Sequence, residues 1–178
     1  MVRDGIVVHL VELSSVNDKY VQEACVEAMC TLLCAKELAE DILAAGGLEV
    51  FIRLSMAELA SPSLLQQCAH ALFNVSCFAN PRLQIVKHAS SINSLSQLAE
   101  RGNVETKRLV ALVMRNLACY TTYQKELVAQ GAAAICIQLL KPEQNEVREN
   151  AAAALFYLSR CDHSHGPFSS LIISSLHL

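Results

Sequence analysis

The sequence predicts an all-α solenoid of about four three-helix repeats. Three observations carry this expectation. Three helix-length patterns recur in a fixed order along the 178 residues. Two independent sets of markers return the same period. The composition, 53% hydrophobic and 17% charged with 5% aromatic residues and no Trp, suits a core of closely packed helices built from small and medium side chains. The charged share of a soluble protein is usually nearer ~25%. Disorder requires the opposite balance of low hydrophobicity and high charge.

The first pattern is a short segment that ends on Gly or a small residue: "KELAEDILAAGG" (36–47), "PRLQIVKHAS" (81–90) and "YQKELVAQGA" (123–132). The second follows at once: "GIVVHLVEL" (5–13), "GLEVFIRLS" (47–55), "SINSLSQLA" (91–99) and "AAAICIQLL" (132–140). The third is longer: "VQEACVEAMCTLL" (21–33), "LQQCAHALFNVS" (65–76), "KRLVALVMRNLA" (107–118) and "RENAAAALFYLS" (148–159). Turn positions Gly5, Gly46, Ser90 and Gly131 recur at intervals of 41, 44 and 41 residues. Third-segment positions Thr31, Asn74, Asn116 and Tyr157 recur at 43, 42 and 41. Helical solenoids of this kind repeat every 40–47 residues or so.

Each segment reads as a helix. Leu65, Cys68, Ala69, Leu72 and Val75 follow the i, i+3, i+4, i+7 spacing of one helical face. Asn80–Pro81 and Ser61–Pro62 read as a cap followed by proline at the first helical position. Gly46, Gly47 and Gly131 suit tight turns where positive φ is cheap, and Ser90 departs from that pattern. The run "RENAAAALFYLSRC" marks the third segment as the inner helix, apolar on most faces. Its alanines at 151–154 admit close neighbours, and Leu155 and Leu158 are expected to be buried there. The array divides into a partial repeat lacking its first helix (1–33), complete repeats at 34–76, 77–118 and 119–160, and an irregular terminal helix at 161–178.

Other classes find little support. A membrane span needs about 20 apolar residues, and the best candidates, 131–140 and 167–178, are shorter. No signal peptide is read at the N-terminus. The net charge is −3, and fourteen Lys and Arg are scattered without a basic run, so no nucleic-acid partner is expected. Eight cysteines lie mostly inside apolar helical patterns without a CxxC pair. They read as buried free thiols of a cytoplasmic or nuclear protein. Cys161, His163 and His165 in "CDHSH" lack a second ligand pair at zinc spacing. No phosphate loop, nucleophile elbow or paired catalytic carboxylates occur. No enzyme activity, cofactor or metal is expected.

The registered segments resemble the armadillo repeat family. "GAAAICIQLL" is similar to the family's second helix, and "RENAAAALFYLS", "QQCAHALFNVS" and "LVALVMRNLAC" to its third. The resemblance covers nearly the whole chain. HEAT repeats have two helices per unit, and the short segments at 36–45, 81–89 and 122–130 argue against them. The fourth copy is also similar to the armadillo arrays of plant U-box ubiquitin ligases, although no U-box is present.

The resemblance implies a right-handed superhelix whose third helices line a groove that holds an extended peptide of a partner protein. Asn side chains there bond the peptide backbone, since a carboxamide offers both a donor and an acceptor. The ladder carried over is Asn74 and Asn116, with Thr31 and Tyr157 in the outer copies. One turn earlier stand Glu27, His70, Leu112 and Ala153, and a further turn back Glu23, Gln66, Arg108 and Glu149. Nuclear-import adapters of this fold carry Trp in the middle rank, so binding of their import signals is not expected of a chain without Trp. Glu23 and Glu27 suit a basic peptide and Arg108 an acidic one. The alternatives are a structural spacer within a larger scaffold, self-association through uncapped ends, and the substrate-recognition array of a ubiquitin ligase.

Overall fold

A computed structural model describes residues 2–160 except 142, with side chains from residue 5 onward. Its helices are α1 (Val2–Leu13), α2 (Lys19–Leu32), α3 (Lys36–Ala44), α4 (Gly47–Ser55), α5 (Pro62–Cys77), α6 (Ala79–Lys87), α7 (Ser91–Arg101), α8 (Val104–Ala118), α9 (Thr121–Ala129), α10 (Ala132–Gln138) and α11 (Asn145–Ser159). No strand occurs among the described residues. Helices α3–α5, α6–α8 and α9–α11 form three triplets, and α1 and α2 stand as second and third helices ahead of them. The terminal stretch at 161–178 lies outside the described residues.

The third helices α2, α5, α8 and α11 stack side by side and make the most extensive contacts in the molecule. One continuous core runs through all repeats, from Val7 to Leu158. Phe51, Met29, Leu72, Leu95, Met114 and Leu117 are among its largest fully buried side chains. Burial of a Leu- or Met-sized side chain contributes roughly 1.5–3 kcal/mol.

Third helices start at capping residues in register. Asp18 accepts from the backbone N–H of Tyr20 and Val21, Ser61 from Leu64, and Asn103 from Thr106. Each satisfies a donor that the first helical turn leaves unpaired. The fourth copy has Gln144 at this position, and its side chain makes no capping bond. Pro62 follows Ser61 at the first helical position. Asn80 is not a cap: α6 begins a residue earlier, behind Phe78, and Asn80 Nδ2 reaches Glu40 instead, at 3.5 Å.

The far ends of third helices are closed by the next repeat. Arg82 of α6 is 6% exposed; its Nε donates to Ser76 O at 2.6 Å and its Nη2 to Cys77 O at 3.2 Å. Gln124, the matching position of α9, donates to Ala118 O at 2.9 Å. The Arg82 guanidinium also lies 4.1 Å from the Tyr120 ring centre. Second helices carry parallel links: Arg53 donates to Ser14 O, Arg101 to Ala57 O, and the buried hydroxyls of Ser55 and Ser94 share a hydrogen bond of 2.6 Å.

The turns between first and second helices differ among repeats. Gly46 and Gly131 adopt φ of 93° and 84°. Ser90 keeps a right-handed backbone, and its N–H donates to His88 Nδ1 at 3.2 Å. Gly5 is no turn residue but lies inside α1. Gly47 serves packing rather than φ: a Cβ there would fall 2.4 Å from Ile42 Cγ2 and 2.8 Å from Ile42 O. The alanine run is only partly enclosed: Ala151, Ala154 and Leu158 are buried, Leu155 is half-buried, and Ala152 is exposed. Among the described residues no third helix follows α11 in the way that α11 follows α8.

Urea unfolding separates the two glycine roles. Gly131→Ala has open space for its methyl and should cost about 1–2 kcal/mol through its left-handed backbone. Gly131→Asn should recover part of that, because Asn tolerates this conformation. Gly47→Ala should cost about 1–3 kcal/mol through overpacking against Ile42, and Gly47→Asn should be worse.

Candidate interaction face of the third helices

The ladder positions fall on neighbouring third helices, and the carboxamides are anchored to the preceding repeat. Asn74 Nδ2 donates to Cys30 O at 3.3 Å across the α2–α5 junction. Asn116 Nδ2 donates to Ser76 Oγ at 2.9 Å across the α5–α8 junction, and Ser76 Oγ donates on to Phe73 O at 2.7 Å. A carboxamide has two donor hydrogens and an acceptor oxygen. Both side chains are half-buried, and among the described residues neither Oδ1 accepts a hydrogen bond. Thr31 is exposed, with its hydroxyl turned back onto Glu27 O at 3.1 Å. Tyr157 is half-buried, its ring centre 5.8 Å from that of Phe156.

The middle rank is open. Glu27 and His70 are exposed, and Leu112 and Ala153 are half-buried. The outermost rank is largely occupied by joints between repeats. Glu23 accepts from the hydroxyl of Ser61, the residue that caps α5. Gln66 Oε1 accepts from Nδ2 of Asn103, the cap of α8, at 2.9 Å. Arg108 holds Glu105 through two bonds of 2.6 and 2.8 Å and reaches Glu146 of α11 at 3.1 Å. Its charge is therefore matched within the array, which removes the basis for expecting an acidic peptide there. Glu149 is exposed and has no partner among the described residues.

Sequence reasoning missed Arg115 and Asn150. Arg115 Nη1 donates to Asn150 Oδ1 at 3.0 Å, and Asn150 Nδ2 donates to Glu146 O at 2.9 Å, so a second polar joint ties α8 to α11. The available signal was position: Arg115 immediately precedes a ladder residue.

Electrostatics follow these contacts. The hydrogen bond from Arg108 holds the Glu105 carboxyl below its usual range, opposed by partial desolvation. The same bond raises Arg108. Burial pushes the thiols of Cys30 and Cys136 up to about 12 and raises Cys68 further. The cysteines are not uniformly buried. Cys34, Cys77 and Cys119 are exposed free thiols, three residues beyond Thr31, Asn74 and Asn116, where each third helix ends at the rim of the stack. Among the described residues no group of three His, Cys, Asp or Glu could hold a metal ion, and no helix is long and apolar enough to cross a membrane. The "CDHSH" segment lies outside the described residues.

No protein-family model matches the sequence, and no curated protein matches it. Solved structures do resemble it. A computationally designed armadillo repeat protein for modular peptide recognition superposes with a TM-score of 0.76 at 19% identity, over 97% of this chain and 82% of that one. A designed armadillo repeat protein in complex with the peptide (KR)4 gives 0.75 at 18% identity, over 97% and 81%. An engineered protein from a structural genomics consortium gives 0.76 at 21% identity, over 95% and 67%. These likenesses show the fold: this chain is a right-handed armadillo-type superhelix of three-helix repeats. In class it is an α-helical repeat array.

Two measurements follow from this face. Arg108→Met should lower stability by at most about 1 kcal/mol, since the pair is exposed enough for solvent to screen it. A carboxyl whose folded pKa is depressed contributes stability above its unfolded pKa and loses it as pH falls through the folded value. Wild type should therefore lose the Glu105 contribution below the ordinary carboxylate range, whereas the variant's acid-unfolding curve should lack that component. Thiol labelling under native conditions, read by peptide mass spectrometry, should modify Cys34, Cys77 and Cys119 first. Cys25, Cys30, Cys68 and Cys136 should follow only in denaturant.

Proposed function

We propose that this chain is a protein-interaction scaffold that holds an extended segment of a partner along its third helices, with Asn74 and Asn116 as backbone clamps. The observation that carries the proposal is their anchoring. Each Nδ2 is fixed by the preceding repeat at 2.9–3.3 Å, which orients the carboxamide, and each Oδ1 accepts nothing within the described array. An extended peptide presents unpaired N–H and C=O groups, so each oxygen takes a peptide N–H, and the remaining amide hydrogen of Asn74 serves a peptide C=O, while that of Asn116 is turned to Cys77 Sγ at 3.9 Å.

Side-chain preference comes from the open rank. With Arg108 neutralised by Glu105 and Glu146, the exposed carboxylates of Glu27 and Glu149 favour Lys or Arg on the bound segment. His70 and Leu112 face the middle of the same path. The designed relative bound to (KR)4 supports this polarity by analogy of fold.

A pull-down from cell extract, read by mass spectrometry, tests the proposal with wild type, the double variant Asn74→Ala/Asn116→Ala, and Asn93→Ala on the exposed face of α7 as control. Circular dichroism checks that all three are equally helical. Loss of two clamps of about 1 kcal/mol each weakens binding roughly 10- to 100-fold, so specific partners should vanish from the double variant and persist in the control. Retention of the same partners by the double variant, or their loss in the control, rejects the clamp assignment. Labelled (KR)4 and (DE)4 peptides, compared by fluorescence anisotropy, test the polarity. The basic peptide should bind more tightly, and Glu27→Gln should weaken it.

A further inference from the structure

Two arginines of α8 reach across to α11, and their charges are used differently. Arg108 is matched: Glu105 and Glu146 take three of its hydrogen bonds and balance its charge. Arg115 forms no ion pair among the described residues. Its side chain makes one hydrogen bond there, from Nη1 to Asn150 Oδ1 at 3.0 Å. Asn150 is 6% exposed, and a carboxamide buried that far is costly unless it is bonded. Its Nδ2 is fixed on Glu146 O at 2.9 Å, which turns its oxygen to Arg115. A buried, fully oriented amide thus holds an exposed guanidinium in place. The exposure belongs to the interior of the array, since α8 is packed between α5 on one side and α11 on the other.

A guanidinium carries five N–H donors. Asn150 engages Nη1, and neither Nε nor Nη2 of Arg115 has an acceptor among the described residues. The free edge presents two parallel N–H groups, the fork that matches both oxygens of a carboxylate. Arg115 immediately precedes Asn116 in the sequence.

We propose that Arg115 sets the specificity of the groove by taking, on its Nε–Nη2 edge, the carboxylate of an Asp or Glu of the bound segment near the point that Asn116 clamps. This rests on the groove reading given above and adds a charge order to it. Glu27 of α2 and Glu149 of α11 are exposed carboxylates that call for Lys or Arg. Along α2, α8 and α11 the preferred segment is therefore basic, then acidic, then basic. An all-basic segment meets two of these three demands and an all-acidic one meets one, which keeps (KR)4 ahead of (DE)4.

Fluorescence anisotropy with the full chain tests the assignment. Labelled (KR)4 is scanned with Glu at each position in turn, and the same scan with Gln is the neutral reference. At one interior position wild type should bind the Glu peptide at least about tenfold more tightly than the Gln peptide, the strength of a charge-assisted pair. Arg115→Gln keeps a donor for Asn150 and should lose that preference with its affinity for the Gln peptide little changed. A purely structural joint would weaken both peptides alike. Arg115→Lys keeps the charge without the fork and should recover only part of the preference. Arg115→Glu should invert it. Circular dichroism checks that the variants are as helical as wild type.

Four results overturn the inference: Glu never outdoing Gln, the preference persisting in Arg115→Gln, both peptides weakened alike by that variant, or no peptide of either scan binding. The Asn74→Ala/Asn116→Ala variant separates this inference from the clamps. If it binds every peptide as tightly as wild type while the Glu preference still follows Arg115, the clamps fail and the charge order stands. If it loses every peptide while wild type shows no Glu preference, the clamps stand and the charge order falls.

Discussion

The structure depends on one constraint: no third helix can bury its apolar surface within its own repeat. α5 and α8 are buried around much of their circumference, at Leu64, Cys68 and Leu72 and at Val110, Val113 and Met114. A helix apolar over so much of its circumference is stable only when flanked. Stability is therefore a property of junctions, as in other repeat arrays where each unit touches only its neighbours. The small residues at Ala69, Ala71 and Ala111 are the physical means, since they let the backbones approach where larger side chains would hold them apart.

The same constraint explains how polar groups are used. The caps Ser61 and Asn103, their outer-rank partners Glu23 and Gln66, and the ladder asparagines each spend at least one hydrogen bond on an adjacent repeat. Ser61 reaches Glu23, Asn103 reaches Gln66, Asn74 reaches Cys30 and Asn116 reaches Ser76. These bonds fix the rotation of one repeat against the next, and with it the spacing of any side chains that face a ligand. In the proposed binding mode the groove is preorganised by the polar contacts that hold the stack in register, so the ordering cost falls mainly on the bound segment.

Much of the fold was legible because periodicity is a property of many residues at once. Glycine and asparagine markers gave one period independently, and the third helices lie where their apolar spacing puts them. Boundaries were less legible. Asn80–Pro81 has the composition of a cap, yet α6 starts at Ala79, because Arg82 must face back toward Ser76 and Cys77. Gly5 matches the turn register but sits within a helix, where nothing approaches its α-carbon closely enough to require glycine. The candidate face was legible in register and not in use. Position alone cannot reveal that Arg108 reaches Glu146, or that Glu23 and Gln66 serve the caps of the next repeat, because those partners lie about one repeat away in sequence. Exposure of Cys34, Cys77 and Cys119 escaped composition for a related reason: thiols of one residue type divide by their place along the helix, core or rim.

The closure of each third helix by the following first helix has a consequence for how the chain may be divided. Arg82 and Gln124 complete the last turns of α5 and α8, although both belong to the next repeat in sequence. The unit that folds is therefore out of phase with the unit that recurs. A cut placed between α5 and α6, where the sequence pattern restarts, would strip two carbonyls of their donors. A cut after α6 would leave them satisfied. Modules excised from this array, or grafted into another, should be framed from second helix to first helix, with the closing residue carried along with the helix it closes.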